Sequence, residues 1–387
     1  MKKKKIAILG STGSIGKNTL DILDLDKKNF NILLLSANSN YLQIKKQIKN
    51  IKPKYFVVNN YNVYRQLLGN KKKNKTIILN KFSQLPLNVR FDITVSSIVG
   101  IAGLEPTIQF TKKSKKVLIA NKESIICGWH ILKRISKINN TKIVPIDSEH
   151  FSINELTKSY KNEDIKKIYI TASGGPFLRI PIKKFKNITP NDAAKHPRWK
   201  MGKKISIDSS NLMNKTLELI EAYRLFPFDP KKYDIIIHPQ SLVHAIVHFK
   251  NGQSKFLYHE TDMKIPIANG IYDNKINIEK LFKVKNINNL KSLKFEKVDK
   301  KRFPIVTLLT EKIYRNSAPI ILNASNEILV DNFIRKKIPY NEIYMSLKRV
   351  FKDRDFNKYA VKKTPSIDQI YKIDKWARNK TLEIINR

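Results

Sequence analysis

Gly10-Ser-Thr-Gly13-Ser-Ile-Gly16 is the most informative segment of the sequence, because it starts where the first predicted strand ends. That strand, Lys5-Ile-Ala-Ile-Leu9, is a short apolar run with β-branched residues, which is typical of a buried parallel strand. Residues 14–23 follow with the pattern of a helix. A strand, a glycine turn and a helix N-terminus together predict a cradle for the phosphates of a dinucleotide. A structural turn is the alternative, since a GxxGxxG triplet alone is a weak signal.

The turn after the second predicted strand bears on which dinucleotide would bind. That strand, residues 31–35, ends in Ser36-Ala37-Asn38-Ser39-Asn40, which has no Asp or Glu to hold a ribose 2′-hydroxyl. Small polar donors without a carboxylate suit a 2′-phosphate, so the sequence favours NADP over NAD. The segment also has no Arg or Lys, and an ordinary polar loop is the alternative interpretation.

The composition bounds the possible partners. The chain has 387 residues, 41% of them hydrophobic, and a formal net charge of +43. Such a charge would suit a nucleic-acid-binding protein, but the basic clusters are dispersed along the whole chain and form no single basic arm. We attribute the excess of lysine to the composition bias of an AT-rich genome, and we expect no nucleic-acid partner.

Cysteine content and hydropathy give two further expectations. The single cysteine, Cys127, excludes an intramolecular disulfide and a cysteine-based zinc site. No apolar stretch reaches the length of a membrane span, and the short apolar run after the basic N-terminus passes directly into the glycine turn. We therefore expect a cytoplasmic protein without a membrane partner.

The order of the predicted elements indicates an α/β protein of several parts. Residues 1–147 alternate strands and helices, which predicts a Rossmann-type, doubly wound parallel sheet that binds NADP. Residues 148–273 predict a central α+β catalytic domain with a flap. Residues 274–300 are dense in Lys and Asn and indicate a linker, and residues 301–387 have the periodicity of a C-terminal helical bundle.

Within the later parts, several elements are predicted individually. A long helix is predicted at 211–226, and the helical bundle is predicted to begin with a helix at 304–314. The strands predicted for the central domain lie at 165–171, 204–207, 233–238, 242–249 and 254–258.

Carboxylates follow one predicted strand and recur on the helix at 211–226. Asp147 and Glu149 come directly after a strand at 142–146, so both side chains can point into one pocket. A polar stripe at spacings of three and four runs along the helix and consists of Asn211, Asn214, Lys215, Glu218 and Glu221. Together these carboxylates would form an oxygen-only site for Mg²⁺ or Mn²⁺. A solvated helix face is the alternative, and spacing alone does not separate Glu218 from Glu221.

Three other segments carry polar groups that could act in a site. Ser173-Gly-Gly-Pro176 follows a predicted strand and is either a phosphate cradle or a plain tight turn. Ser209 precedes the helix at 211–226 and is expected as its N-cap. His196-Pro-Arg-Trp199-Lys-Met-Gly202 has the composition of a lid that excludes water, although a single loop histidine is more often a surface residue.

Taken together, these motifs resemble one enzyme family, the 1-deoxy-D-xylulose 5-phosphate reductoisomerases. The resemblance spans nearly the whole chain in the family's order. It is carried by the glycine turn at 10–16, Ala-Asn-Lys-Glu-Ser at 120–124, Pro-Ile-Asp-Ser-Glu-His at 145–150, Ser-Gly-Gly-Pro-Phe at 173–177, His-Pro-Arg-Trp-Lys-Met-Gly at 196–202, Ile-Asp-Ser-Ser-Asn-Leu-Met-Asn-Lys-Thr-Leu-Glu at 207–218, Ile-His-Pro-Gln-Ser at 237–241 and Leu-Asn-Ala-Ser-Asn-Glu-Ile at 322–328.

The resemblance implies an enzyme of non-mevalonate isoprenoid biosynthesis. Its substrate, 1-deoxy-D-xylulose 5-phosphate, would rearrange its carbon skeleton and then be reduced with NADPH to 2-C-methyl-D-erythritol 4-phosphate. A divalent metal, Mg²⁺ or Mn²⁺, would chelate the ketone and the neighbouring hydroxyl. The family is usually dimeric, so a homodimer is also implied.

The resemblance also implies a role for each matching residue. Asp147, Glu149 and Glu218 would be the metal ligands, which selects Glu218 over Glu221. Lys122, Glu149 and His196 would be catalytic, and Trp199 and Met201 would belong to the flap. Substrate would be bound by Lys122, Ser148, Glu149, Ser173, His196, Ser209, Asn214, Lys215 and Glu218. NADPH would be contacted by Thr12, Gly13, Ser14, Ile15, Ala37, Asn38, Asn121, Glu123 and Gly202.

Two departures from the family pattern and two rival functions remain. Ala37 and Ala172 stand where the family commonly has Gly, so we expect both backbones to avoid the left-handed region.

A different NADP-dependent dehydrogenase on the same fold, such as an aspartate-semialdehyde type, would need a catalytic cysteine, and Cys127 lies in an apolar helical setting. A basic nucleic-acid-binding protein would gather its charge beside aromatic platforms.

Overall fold

The computed structural model describes residues 2–69, 75–199, 202–282, 292–309 and 316–386. The chain forms two compact units, and the described residues of each contain a β-sheet. The first unit consists of Met1–Ser124, His130–Phe151 and Met263–Lys285, and the second of Ile125–Trp129, Ser152–Asp262 and Asn286–Arg387. The α/β fold class is confirmed, while the predicted domain boundaries stay predictions.

The sheet of the first unit is parallel throughout. Its strands are β1 (Lys4–Leu9), β2 (Phe30–Ala37), β3 (Tyr55–Val58), β4 (Ile77–Leu79), β5 (Phe91–Ser96), β6 (Ser114–Ile119) and β7 (Lys142–Pro145). They lie in the order β4-β3-β2-β1-β5-β6-β7. The chain order reverses between β1 and β5, and the carboxyl ends of strands at such a reversal open a crevice for a ligand.

Both faces of this sheet are covered, which explains why its strands are continuous apolar runs. Ile6 and Ile8 pack into one buried cluster, and Ala7 and Leu9 pack into another. Successive side chains of a strand point to opposite faces, so β1 supplies both cores at once.

The helices connect and follow the strands. In chain order they are α1 (Ser14–Asp24), α2 (Tyr41–Ile51), α3 (Tyr61–Gly69), α4 (Leu104–Thr111), α5 (Lys122–Ile138), α6 (Ser148–Thr157), α7 (Pro190–Ala193), α8 (Lys203–Ser210), α9 (Met213–Leu225), α10 (Lys264–Tyr272), α11 (Ala318–Ile334), α12 (Glu342–Phe351), α13 (Phe356–Ala360) and α14 (Ile367–Ile385). In the part of the chain that the structure describes, none of them is long and apolar enough to cross a lipid bilayer.

The second unit contains a mixed sheet and the C-terminal helices. Its strands are β8 (Ile165–Ala172), β9 (Tyr233–Ile237), β10 (Val243–Phe249), β11 (Ser254–Tyr258) and β12 (Glu296–Lys297), in the order β11-β10-β8-β9-β12. β8 and β9 are parallel, and the other neighbours are antiparallel. A core of mostly aliphatic residues from β8, β9, β10 and α9 holds this sheet against its helices.

Two predicted elements are wrong. Residues 204–207 are helical, within α8, because a four-residue window does not separate a period of 2 from one of 3.6. Pro304–Leu308 is a short 3₁₀ turn rather than the start of an α-helix, and residues 310–314 of that prediction lie outside the described residues. The predicted linker at 274–300 contains β12, which pairs with β9.

Candidate active site

The glycine turn lies between β1 and α1, at the reversal of strand order. Gly10 has a φ of +85°, and a Cβ there would come within 2.7 Å of the Ser97 carbonyl oxygen after β5. Gly13 caps α1 without any side-chain hydrogen bond, and the first turn of α1 has no acidic residue. Backbone N–H groups at this helix start can therefore face an anion. Thr12 and Ile15 are half-buried and Ser14 is exposed at the same turn.

Gln47 holds this turn in place and is not among the predicted site residues. The Ser11 hydroxyl donates to Gln47 Oε1 at 2.7 Å, and Gln47 Nε2 donates to the Ser11 carbonyl at 2.9 Å. Gln47 lies on α2, and only the burial of a glutamine on a helix with many exposed residues could have signalled its role. The clamp fixes the backbone that a phosphate would contact.

Two residues of the segment at 36–40, at the end of β2, make hydrogen bonds that stabilise the fold. Ser36 is buried, and both its carbonyl and its hydroxyl oxygen accept hydrogen bonds from the glycine turn. Asn40 caps α2 by accepting from the Gln43 N–H at 3.1 Å. Asn38 and Ser39 are exposed between them, so these two side chains remain as candidates for a 2′-phosphate contact.

The predicted backbone of the two alanine positions is confirmed. Ala37 ends β2 and Ala172 ends β8, and neither has a positive φ.

Asn121 joins the loops that follow β5 and β6. Its Nδ2 donates to the Ile98 carbonyl at 2.6 Å and to the Gly100 carbonyl at 3.0 Å, and its Oδ1 accepts from the Ser124 N–H. Glu123 Oε2 also accepts from Asn121 Nδ2, at 2.8 Å. Asn121 thus caps α5, whose first two residues are Lys122 and Glu123.

The acidic segment after β7 begins a helix. Ser148 starts α6, and Asp147 immediately before it accepts from the Glu149 N–H at 3.3 Å. The Ser148 hydroxyl donates to Glu149 Oε2 at 2.5 Å, and His150 Nδ1 lies 3.5 Å from Asp147 Oδ1. Glu149 is buried and Asp147 is half-buried.

Helix α9 is buried along most of its length, which excludes a solvated polar face. Glu218 is 1% exposed and Glu221 is 2% exposed. Lys215 Nζ lies 2.7 Å from Glu218 Oε2, and Asn214 Nδ2 donates to the other oxygen of Glu218. Two buried carboxylates on one helix require specific partners, because an unpaired buried charge is costly.

Three carboxylates come together as candidate metal ligands. One ligand oxygen each from Asp147, Glu149 and Glu218 lies within 4.8 Å of the others. Among the described residues, Glu221 is not part of this group of three carboxylates, although spacing in the sequence did not separate it from Glu218 as a candidate ligand. Like charges at this separation repel strongly, and a divalent cation with oxygen ligands would offset the repulsion.

Ser173 and His196 also come together. Ser173 Oγ accepts from the Gly175 N–H at 3.1 Å and lies 2.9 Å from His196 Nε2. His196 Nδ1 accepts from the backbone N–H groups of Arg198 and Trp199, at 3.2 and 2.8 Å, which assigns the ring proton to Nε2. Since the Ser173 oxygen then accepts twice, its hydroxyl hydrogen can still donate, and it has no acceptor among the described residues.

Ser209 lies in the last turn of α8, so the expectation that it caps the following helix is wrong. The N-cap of α9 is Leu212, in the left-handed conformation with a φ of +65°. Ser209 is nevertheless near the glycine turn after β8, because a Cβ on Gly175 would come within 3.0 Å of the Ser209 carbonyl oxygen. Two candidate phosphate-binding segments therefore touch.

The predicted flap is described up to Trp199 and again from Gly202, and Lys200 and Met201 lie outside the described residues. The Trp199 ring meets the His244 ring edge-on, with 6.0 Å between centroids. His244 stacks on His259 at 3.8 Å. Gly202 is exposed and caps α8.

Comparison with known proteins identifies the family. A family model described as 1-deoxy-D-xylulose 5-phosphate reductoisomerase matches residues 6–128, and models of that family's C-terminal domains match residues 143–226 and 259–380. The reductoisomerase of Pelagibacter ubique is 44% identical over 378 residues, which cover 96% of this chain and 97% of the relative. The chain belongs to the 1-deoxy-D-xylulose 5-phosphate reductoisomerase family.

Other members of the family are similar over the full chain. The reductoisomerase of Clostridium perfringens is 37% identical, with 99% of this chain and 100% of the relative covered. A crystal structure of DOX-P reductoisomerase in complex with NADPH, fosmidomycin and magnesium has a TM-score of 0.91 and 31% identity, covering 99% and 98% of the two chains. The Zymomonas mobilis reductoisomerase in complex with NADPH has a TM-score of 0.88 and 30% identity, covering 99% of each.

Proposed function

We propose that this chain converts 1-deoxy-D-xylulose 5-phosphate to 2-C-methyl-D-erythritol 4-phosphate in an NADPH- and divalent-metal-dependent reaction, as part of non-mevalonate isoprenoid biosynthesis. The observation that carries the proposal is the match over 99% of the chain to a reductoisomerase solved with NADPH, fosmidomycin and magnesium. The group of three carboxylates supports the metal requirement independently, because its donor set is that of Mg²⁺ or Mn²⁺.

The divalent cation would bind the substrate's oxygens at the three candidate carboxylate ligands. Asp147, Glu149 and Glu218 would hold the cation, which supplies a Lewis acid for the substrate's ketone and hydroxyl oxygens. Lys122 and Ser148 would orient those oxygens. The hydrogen bonds that Asn214 and Lys215 make to Glu218 would fix its carboxylate in orientation.

The substrate phosphate would bind where the Ser173 turn meets the end of α8. Ser173 and Ser209 would donate hydroxyl hydrogens, Asn214 and Lys215 would supply an amide and a cation, and His196 would hold Ser173 in its donating orientation. Binding energy from this remote group fixes the reacting carbons relative to the metal and the nicotinamide.

NADPH would bind at the carboxyl edge of the first unit's sheet and supply the hydride. The start of α1, whose N-cap Gly13 offers no side chain, fits a pyrophosphate, and the absence of a carboxylate among residues 36–40 fits a 2′-phosphate. The proposed contacts are Thr12, Gly13, Ser14, Ile15, Ala37, Asn38, Asn121, Glu123 and Gly202. Phosphorylated substrates and NADPH are cytoplasmic metabolites, so we also propose a cytoplasmic location.

Product analysis tests this function directly. Incubation with 1-deoxy-D-xylulose 5-phosphate, NADPH and Mg²⁺ should yield a product that is heavier than the substrate by two hydrogen atoms, one of them deuterium when the transferred hydrogen of NADPH is labelled. A product of unchanged mass, or label that remains on the nicotinamide, would refute the proposal.

We also propose that two copies of the chain form a homodimer and that the protein has no nucleic-acid partner. β11 is an edge strand whose Phe256 side chain is 52% exposed, and an exposed apolar edge is suited to pairing with a second copy. Phe256→Asp should shift the sedimenting species toward monomer. Leu87→Asp, at an 87% exposed loop position, is the matched control. A parent protein that sediments as a monomer at all concentrations contradicts the dimer.

A further inference from the structure

The junction between α8 and α9 carries much of the proposed phosphate site. It runs from Asp208 to Leu212, includes Ser209, and turns through the left-handed φ of +65° at Leu212. A side chain such as leucine adopts that conformation only when its surroundings impose it. The position of Ser209 therefore depends on what holds this junction.

Two buried hydrogen bonds hold it, one from helix α11 and one from Tyr340 in the turn before α12. Asn326 of α11 donates from Nδ2 to Asp208 Oδ1 at 2.8 Å, and the hydroxyls of Ser210 and Tyr340 are 2.9 Å apart. Asn326 is fully buried, Asp208 is 2% exposed and Tyr340 is 5% exposed. Burial accordingly raises the pKa of Tyr340 well above its usual value, so its hydroxyl stays protonated.

Tyr340 also reaches the other half of the phosphate site. Its ring packs edge-on against Phe177, with 5.3 Å between centroids, and Phe177 directly follows the Ser173 turn. Gly175 of that turn lies so close to the junction that a Cβ on it would come within 2.8 Å of Ser210 Cα. One aromatic side chain thus contacts both segments that would surround the phosphate.

We propose that Asn326 and Tyr340 are positioning residues for substrate phosphate, acting through Asp208 and Ser210 on the orientation of Ser209. This inference rests on the proposed function, and it gives a task to the Leu-Asn-Ala-Ser-Asn-Glu-Ile motif at 322–328 that the site itself does not use. Neither residue needs to touch the ligand, because a fixed junction presents a preformed phosphate site.

Asn332 offers a matched control on the same helix. It is buried like Asn326, but its Nδ2 donates to the Ile328 carbonyl within α11, at 2.8 Å. Replacing Asn332 disturbs the helix without reaching the junction. A merely structural role for α11 would make Asn326 and Asn332 variants equivalent in phosphate binding.

The experiment compares Tyr340→Phe, Asn326→Asp and Asn332→Ala in the full-length protein. Affinity for inorganic phosphate is measured by calorimetry, and KM and kcat for 1-deoxy-D-xylulose 5-phosphate are measured with NADPH and Mg²⁺. Tyr340→Phe and Asn326→Asp should weaken phosphate binding and raise KM about tenfold at pH 8, as for a lost buried hydrogen bond. kcat should change less, and Asn332→Ala should bind phosphate as the parent does.

A pH series separates positioning from a general loss of stability. In Asn326→Asp two carboxyl groups face each other beside Lys204, whose Nζ lies 3.1 Å from Asp208. Repulsion between facing carboxylates favours protonation of one of them as the pH falls, and the protonated carboxyl is again a donor. Phosphate affinity relative to the parent should therefore rise between pH 8 and pH 5.5. Tyr340→Phe has no such group and should not recover.

Parental phosphate affinity and KM in both Tyr340→Phe and Asn326→Asp at every pH would overturn the inference. Equal weakening in Asn332→Ala would overturn it as well. Phosphate binding needs no turnover, so an inactive parent protein would refute the proposed function while leaving the binding comparison interpretable.

Discussion

Glu218 is a proposed metal ligand whose side chain is buried and fixed by its neighbours. It is 1% exposed, and its two oxygens are held by Asn214 and Lys215 from the same helix. Such partners fix the direction of the carboxylate, as groups around a metal site do for its ligands.

Glu218→Gln should lower kcat by roughly a hundredfold or more at low Mg²⁺, because an amide oxygen is a weaker, neutral ligand. NADPH affinity, measured by fluorescence titration, should stay near parental. Glu221→Gln is the matched control on the same helix and should keep the parental dependence on Mg²⁺. Near-parental turnover of Glu218→Gln at low metal concentration would contradict the assignment.

Ser39 bears on cofactor choice, since it is exposed after β2 and no acidic residue lies between Ser36 and Asn40. The parent protein should prefer NADPH over NADH by about tenfold or more in kcat/KM, the magnitude of one charge-assisted hydrogen bond. Ser39→Asp places a negative charge near the 2′-position and should shift the preference toward NADH. Equal kcat/KM for the two cofactors in the parent would refute this interpretation of the loop.

At the scale of elements, the flap segment is tied to the second unit's sheet through aromatic contacts. Trp199 rests on His244 of β10, and His244 in turn stacks on His259, just beyond the end of β11. His196 anchors the same segment by accepting from the Trp199 N–H at 2.8 Å. We expect the flap to close over bound substrate and exclude water from the reacting carbons.

Trp199→Ala should lower kcat/KM by about three- to tenfold, as for the loss of an aromatic contact, and Trp199→Phe should retain most of it. Substrate with NADPH should change the Trp199 fluorescence in a Trp129→Phe, Trp376→Phe background and protect residues 196–202 from proteolysis. If neither signal responds to the ligands, the segment is not a lid.

Across the whole molecule, His238 contributes to the pH dependence of stability just below neutral pH. Burial lowers the pKa of the His238 imidazole, and the nearby His244 lowers it further, against the raising effect of the Lys294 carbonyl. The Nδ1–H donates to that carbonyl at 2.9 Å, and among the described residues Nε2 has no hydrogen-bond partner. The folded state therefore favours the neutral ring.

The direction of the pH effect on stability follows from proton binding by His238 in the two states. In the unfolded chain His238 binds a proton near pH 6.5, and in the folded chain it binds the proton only at lower pH. Its contribution to the free energy of unfolding is therefore complete above pH 6.5 and is lost as the pH falls. His238→Asn should flatten the dependence of the free energy of unfolding in urea between pH 7.5 and 5. His248→Asn, at a half-exposed position of β10, is the control. Identical slopes for parent and His238→Asn would contradict this.

Much of the fold could be predicted because its signals are local. Strands such as β1 and β3 are apolar runs buried on both faces, and the glycine turn between β1 and α1 needs no distant partner to be recognised. Residues 204–207 within α8 have the pattern of a strand because two isoleucines alternate with polar residues over only four positions.

The supporting residues could not be predicted, because their partners are distant in sequence. Gln47 meets Ser11 across 36 residues, Asn326 meets Asp208 across 118, and Tyr340 meets Ser210 across 130. No local pattern marks such pairs. The candidate ligands at 147, 149 and 218 were predicted from a family resemblance, and spacing alone left Glu221 as an equal choice.

The metal-dependent reductoisomerase activity is tested most directly by NADPH oxidation followed at 340 nm with 1-deoxy-D-xylulose 5-phosphate, before and after removal of divalent metal with a chelator. We predict oxidation that requires the substrate, stops when metal is removed and returns when Mg²⁺ or Mn²⁺ is added back. No substrate-dependent oxidation in the presence of metal, or an undiminished rate after its removal, would contradict the account.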